Sequence, residues 1–511
     1  MITVGIWRTQ RIEDLKQEAQ DNQGLKRSIG TPELIALGVG AIIGSGIFVL
    51  TGVAAANYAG PALVFSFLLS GLAAGLAALV YAEMAAAIPV AGSAYTYAYA
   101  SLGEIVAWLV GWNLVLEYLV ASGAVAVGWS GYVTDMLASI GIALPQSLVT
   151  SPLGGGLVNL PAILITAVMT GVALVGTTTS ARTNKIIVGV KLLVILAFLA
   201  LGIPRVNPAN WHPFLPFGVS GVVHGAAIIF FAYIGFDAVA TAAEEVREPA
   251  RDLPRGIIGS LAIATILYVA VTLVLTGLTR YANLNTPSPV TTGLLAAGVR
   301  GASLIVGVGA LAGLTSVLLV TIFAQSRVFM AMGRDGLLPP LFTKVHPRFK
   351  TPWLTTIIVG AFVALVGGFL PVDIIAELAN VGTLTAFFTV SVGVLVLRRR
   401  QPDLKRPFKV PLMPWTPLLA MAFALYLFFN LPILTWIRFG VWVALGLVVY
   451  FAYGRHHSAL ARREPEETAA PRPAFRPSPL GMPGPARRPF PFRLPAPAPA
   501  FLRLLRPWWR K

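Results

Sequence analysis

The chain has 511 residues, 56% of them hydrophobic and 12% charged, with a net charge of +17 and no cysteine. No soluble domain of this size covers so much apolar surface with water-compatible groups, so the composition excludes one. It also excludes disulfides, cysteine-ligated metals and thiol chemistry, and positive charge spread between apolar runs argues against nucleic acid as a partner.

Residues 1–27 are polar and of mixed charge, without the short apolar core of a signal peptide. About twelve apolar runs follow, near 33–57, 62–88, 104–128, 158–176, 186–203, 220–243, 255–278, 303–331, 353–370, 373–397, 414–431 and 437–453. We number them spans 1 to 12. Each approaches or exceeds the ~20 residues that cross a bilayer as a helix. They are too long for strands and lack period-two alternation. The expected fold class is an all-α polytopic membrane protein with the lipid bilayer as its surroundings. Placing the N-terminus in the cytoplasm puts 21 Lys and Arg on that side before the tail, against Arg205, Arg280, Arg300 and Arg438 on the other. The positive-inside rule then predicts a multi-pass protein of the cell membrane with both termini cytoplasmic.

Span 1 carries G-V-G-A-I-I-G-S-G-I-F-V from Gly38 to Val49. Glycine loosens a helix and lets other groups approach its backbone. In lipid, loosened backbone survives only where protein or a wet cavity surrounds it. Ile43, Gly44, Ser45, Gly46 and Ile47 therefore read as an inward-facing break at mid-depth. The plainer alternative is a packing face, since Gly40 and Gly44 form a GxxxG pair.

Span 6 repeats the pattern in I-I-F-F-A-Y-I-G-F-D-A-V-A, Ile228 to Ala240. Asp237 costs roughly 2.5–3.5 kcal/mol at a span centre, so it marks an interior or cavity position. Alternatively it sits nearer the cytoplasmic end, beside Arg247. Breaks in spans 1 and 6 are five spans apart. Five being odd, the two halves, 28–203 and 204–400, are expected to be inverted repeats, followed by two further helices over 401–454.

Helix ends supply the chemistry. The second half of span 1 begins near Gly46, and its unpaired N–H groups suit an anionic group such as a carboxylate. The first half of span 6 ends near Phe231, Ala232, Tyr233 and Ile234, where unpaired carbonyls suit an ammonium. Together they fit an α-amino acid.

Four stretches here resemble the amino acid permeases of the amino acid–polyamine–organocation superfamily, in the branch of bacterial relatives of cationic amino acid transporters. They are G-A-I-I-G-S-G-I-F-V at 40–49, P-V-A-G-S-A-Y-T-Y-A-Y at 89–99, the run from Phe230 to Ile257, and R-V-F-M-A-M-G-R-D-G-L-L-P at 327–339. The resemblance spans about Lys26 to Tyr453. It implies the inverted-repeat fold of the LeuT type, proton-linked uptake with amino acids and protons as partners, and substrate contact at 43–47, Phe231, Ala232 and Ile234. It also implies that Lys191 stands where related permeases hold a sodium ion, and that Thr321 faces the pocket, where a small residue leaves room for a longer side chain.

Lys191 lies about ten ångströms along span 5 from Asn184, at ~1.5 Å per residue. Either its stem snorkels to the cytoplasmic face, or its ammonium, stripped of water, releases and recaptures a proton and couples transport to the proton gradient. Glu117 in span 3 is another deep charge, a gate or coupling candidate like Asp237, or else a static partner to backbone or Tyr118. Thr321 reads equally as ordinary helix packing. Pro89 to Gly103, with Tyr95, Tyr97 and Tyr99, reads as a loop at the cytoplasmic interface. Glu244, Glu245 and Glu248 near Arg247, Arg251 and Arg255 read as inner-gate ion pairs or solvated charge. The tail, 455–511, is rich in Pro, Ala and Arg, a composition of extended, unpacked chain.

Enzyme motifs are missing: there is no H-E-x-x-H, G-x-S-x-G or P-loop. G-V-G-A-L-A-G at 307–313 lies inside a span without a preceding strand. The five histidines form no metal-ligand set, and no cofactor is implied. A channel would call for rings of pore charge or a carbonyl filter. An amino acid exchanger, or a sensor that binds without moving its ligand, remains compatible with the pattern. Neither the preferred side chain nor the oligomeric state is written in the spacing.

Overall fold

The computed structural model describes residues 7–13, 15, 29–90, 93–175, 181–347 and 351–461, with the side chains at 181–185, 241, 244, 300, 302 and 303 left aside. Among these residues there are helices and turns, and the only strand-like pairings are two isolated bridges. Eight helical stretches are long and apolar enough to cross a membrane, and four shorter apolar helices accompany them. Between them they account for all twelve predicted spans. Spans 1 and 2 share one stretch, Gly46–Ala87, and the first half of span 1 is the separate helix Thr31–Ile42.

Apolar length and helix length part company at the ends. Span 3, expected to stop near 128, continues as Glu104–Ser139. Polar residues such as Thr134 and Asp135 end a lipid-compatible run without ending a helix, because only Gly and Pro carry a strong helix penalty. Pro89 to Gly103 differs too. Ser93–Ser101 is a helix with all nine residues buried, not an interfacial loop. Tyr81, Tyr97, Phe236 and Phe387 pack edge-on or tilted around it, with ring centroids 5.0–6.1 Å apart.

The scaffold is set by a few long pairings. Span 7 lies along span 2 and the first half of span 1, and span 3 packs on spans 8 and 10. Glu83 of span 2, 2% exposed, receives two hydrogen bonds from Arg398 (2.9 and 2.5 Å) and the Val410 N–H (2.7 Å), with Arg406 3.5 Å away. A buried carboxylate is tolerable only when its lone pairs are filled in this way. Span 12 is held to span 3 by indole bonds: Trp108 to the Gly446 carbonyl, Trp112 to that of Trp442, and Trp442 back to Trp112. Large apolar side chains remain exposed along spans 4, 5 and 12, including Leu164, Val168, Leu193, Ile437, Val441 and Val448. Outward apolar faces on several neighbouring spans are what a bilayer solvent requires.

At both ends the described chain packs further than expected. Arg8 and Gln10 pair through their backbones with Glu104 and Tyr99, and Ile12 and Leu15 are buried. Residues 455–461, assigned to the tail, still pack: Ser458 donates to Glu104 (2.5 Å) and the Ala459 N–H to the Asp335 carbonyl (2.9 Å). The rest of that tail lies outside the described residues.

Candidate functional site

Span 1 breaks where its glycines cluster. The α-helix ends at Ile42, and Ile43 turns extended (φ −76°, ψ 97°). Winding resumes at Ser45, through the π-turn Gly46–Leu50. Span 6 does the same. Its helix Gly218–Ile229 tightens into a 3-10 turn over Phe230–Tyr233. Ile234 is then extended, and Gly235 takes φ +113°. A helix restarts at Ala238.

The two breaks touch. A Cβ on Gly46 would fall 2.5 Å from the Cα of Ala232, and one on Gly235 would fall 3.0 Å from the Ala41 backbone. Gly235 also holds a left-handed backbone that a side chain disfavours by roughly 1–2 kcal/mol. Glycine at these two positions lets the loosened segments meet.

Neighbouring spans supply the hydrogen bonds that the broken helices lack. Lys191 of span 5, 2% exposed, donates to the carbonyls of Gly40 (2.9 Å) and Ile43 (3.2 Å). These are last-turn carbonyls of the first half of span 1, where orphan acceptors and the negative dipole end both favour a cation. The snorkelling alternative is therefore not what the geometry shows. Tyr268 of span 7 places its hydroxyl 2.9 Å from the Ile42 carbonyl and 2.8 Å from that of Ala232, so it bridges the two breaks. Asn380 of span 10 donates to the carbonyls of Ala227 and Ile228 at 2.7 and 3.0 Å.

A cavity of about 160 Å³ lies against the breaks, reaching from them along the half of span 1 nearer the N-terminus. Of the predicted binding residues, Gly44, Ser45, Gly46, Phe231, Ile234 and Thr321 stand on its wall. Ile43, Ile47 and Ala232 do not. Their side chains are buried elsewhere, and the carbonyls of Ile43 and Ala232 are engaged by Lys191 and Tyr268. The Ser45 hydroxyl, in a residue only 1% exposed, has no hydrogen-bond partner. An orphaned buried hydroxyl at a cavity wall marks a place for a polar ligand atom. Thr321 accepts from Ser122 (2.8 Å) and donates to the Val317 carbonyl (2.9 Å). Tyr118 and Ser316 also line the wall, and among the described residues none on it carries a formal charge.

Glu117 and Asp237 are both buried and near enough to interact, yet neither is on the wall. Ser93 donates to Asp237 at 3.3 Å, and Thr383 stands beside Glu117. Asp237 precedes the helix restart at Ala238 without a side-chain cap bond to it, its carboxylate meeting the backbone of Asp237 and Ala238 instead. Of the proposed gate charges, Arg251 and Glu248 lie 3.8 Å apart with both side chains mostly exposed. The Glu244 side chain falls outside the described ones. What ties the two broken spans at this end is backbone: Ile29 N–H to the Glu245 carbonyl, and Arg247 N–H to that of Ile29.

Sequence reasoning missed Tyr268 and Asn380. Asn380, an amide three residues after Glu377 in an otherwise apolar stretch, carried a signal; Tyr268 carried none.

A family model described as "Amino acid permease" matches residues 29–452. The branched-chain amino acid permease BcaP of Bacillus subtilis (strain 168) is 48% identical over 460 residues, covering 89% of this chain and 99% of its own. The methylthioribose transporter of the same organism is 46% identical over 457 residues, with the same coverage. The vacuolar cationic amino acid transporter 4 of Arabidopsis thaliana is 40% identical over 390 residues, covering 74% of this chain and 64% of its own.

Proposed function

The chain belongs to the amino acid permease family, and from that premise we propose that it carries amino acids across the cell membrane by alternating access, with proton symport as the coupling. The observation that carries the reading is the abutment of two broken helices beside a cavity whose wall includes Ser45, a residue with an unpartnered buried hydroxyl. The substrate carboxylate takes the N-terminal start of the second half of span 1, with the Ser45 hydroxyl as a further donor. The ammonium takes backbone carbonyls where span 6 unwinds, near Phe231 and Ile234.

The uncharged wall favours a neutral side chain over a cationic one, since a buried ammonium or guanidinium without a counter-charge is costly. Phe231, Val125, Val317 and Ile234 offer apolar surface for an aliphatic chain. Thr321 leaves room beside them. In this reading the protonated Lys191 pins the first half of span 1 to span 5. Loss of its proton removes the positive charge from those carbonyls and frees that half-helix to move. Inverted repeats over 28–203 and 204–400, and cytoplasmic termini, complete the proposal.

The test is uptake of leucine, alanine and lysine into liposomes holding the purified protein, with and without an acidic exterior. The proposal expects leucine to accumulate faster with acid outside. Binding without accumulation would mark a sensor, and accumulation that needs internal amino acid would mark an exchanger. A second reading follows from the same neutral wall and the methylthioribose relative: an uncharged sugar thioether fits a site without charged side chains. Competition of leucine uptake by methylthioribose separates the two.

A further inference from the structure

We propose that a second cavity, on the far side of the span 1 break from the N-terminus, is a binding site for the ammonium group of an amino acid before it reaches the central cavity. The inference rests on the amino acid reading above for the identity of its ligand. The cavity measures about 440 Å³ and shares no lining residue with the central one. Between them stands a thin layer: a Cβ on Gly128 would lie 2.7 Å from Val49, 3.7 Å from Ser45 and 3.8 Å from Leu314.

Its chemistry is one-sided. Asp135, near the end of the span 3 helix, is the sole charged residue among the described residues of its wall, which include no Lys, Arg or His. One oxygen of Asp135 accepts a short hydrogen bond from Ser288, which leaves a carboxylate with further lone pairs to offer. Beside it the Thr134 hydroxyl is buried without a partner. Val49, Val53 and Val127 add apolar wall. A carboxylate, an unpartnered hydroxyl and a valine surface together fit a small alkylammonium. Negative charge in a concave, partly desolvated site attracts cations more strongly than the same charge in open water.

The position gives the site a consequence. Ser288 precedes the helix Pro289–Ala296, which packs against the second half of span 1. An ammonium on Asp135 competes with Ser288 for the carboxylate and loosens the contact that holds this helix over the path to the centre.

The test uses the full-length protein purified in detergent and titrated with choline and its uncharged isostere 3,3-dimethylbutanol. Choline should bind one site, the isostere should not displace it, and Asp135→Asn should weaken choline about tenfold while Asp135→Glu keeps it. Leucine should bind two sites in the parent and one in Asp135→Asn. Equal binding of choline and its isostere to the unaltered protein overturns the proposal whether or not the variants fold. So does unchanged choline affinity in a folded Asp135→Asn. If leucine binds at a site that Asp135→Asn abolishes but does not accumulate, the transport reading fails and the second site stands; if leucine binds one site that Asp135→Asn leaves unchanged, the second site fails and the central reading stands.

Discussion

Lys191 and Tyr268 act on the same problem from two sides. A helix broken inside the membrane leaves carbonyls that water cannot reach, and each must find a donor. Lys191 serves Gly40 and Ile43, and the single hydroxyl proton of Tyr268 is shared between Ile42 and Ala232. Tyr268→Phe leaves buried acceptors unmet, so it should cost about 1–3 kcal/mol. A lower melting temperature and weaker leucine binding in detergent would register that loss. Lys191→Met keeps the length of the side chain and removes its charge. The expected outcome is retained leucine binding with accumulation that no longer responds to an imposed pH gradient; unchanged proton dependence would remove Lys191 from the coupling step. Gly46 was legible as a residue that must lack a side chain, but the reason, contact with Ala232, was not. Gly46→Ala drives a methyl into backbone, and overpacking of that kind costs about 1–3 kcal/mol. A Gly44→Ala control should be far milder for stability, since its Cβ meets nothing closer than 3.8 Å. Thermal unfolding of the two variants side by side checks the contrast.

At the scale of elements, spans were readable from apolar length, and their breaks from glycine and aspartate inside apolar runs. The winding at the breaks was not. Span 1 resumes in a π-turn and span 6 ends its first half in a 3-10 turn. Composition is also silent on helices outside lipid. Ser93–Ser101 read as loop because it is short and polar-aromatic, yet it is buried among spans that no local pattern brings together. The Glu83 cluster joins span 2 to span 10 and the segment after it, over more than 300 residues of chain. Glu83→Gln leaves two arginines partly desolvated without their carboxylate, which should lower stability by about 3–5 kcal/mol. Denaturation monitored by tryptophan fluorescence would show it, and an unchanged midpoint would count against the ion cluster as a fastening.

For the whole molecule, the charge asymmetry of the loops predicts a cytoplasmic N-terminus. The absence of cysteine makes this direct to test, since any introduced thiol is the sole label site. Asp403→Cys, between spans 10 and 11, should react with an impermeant maleimide only in inside-out vesicles. Asn283→Cys, between spans 7 and 8, should react only in right-side-out ones. The reverse pattern would invert the topology, and with it the direction of proton-driven uptake.

Sequence alone determined the solvent of this protein, the number of its spans and the two places where helices give way. These follow from apolar length, from glycine's missing side chain and from the cost of a charge in lipid, all of them local properties. Tertiary structure decided the rest. It showed that the breaks touch, that Lys191 and Tyr268 supply their donors, that Ser45 is left unpaired at the wall, and that Ile43, Ile47 and Ala232 turn away from it. Which donor meets which orphaned carbonyl depends on how distant spans pack, and no local property of the chain carries that information.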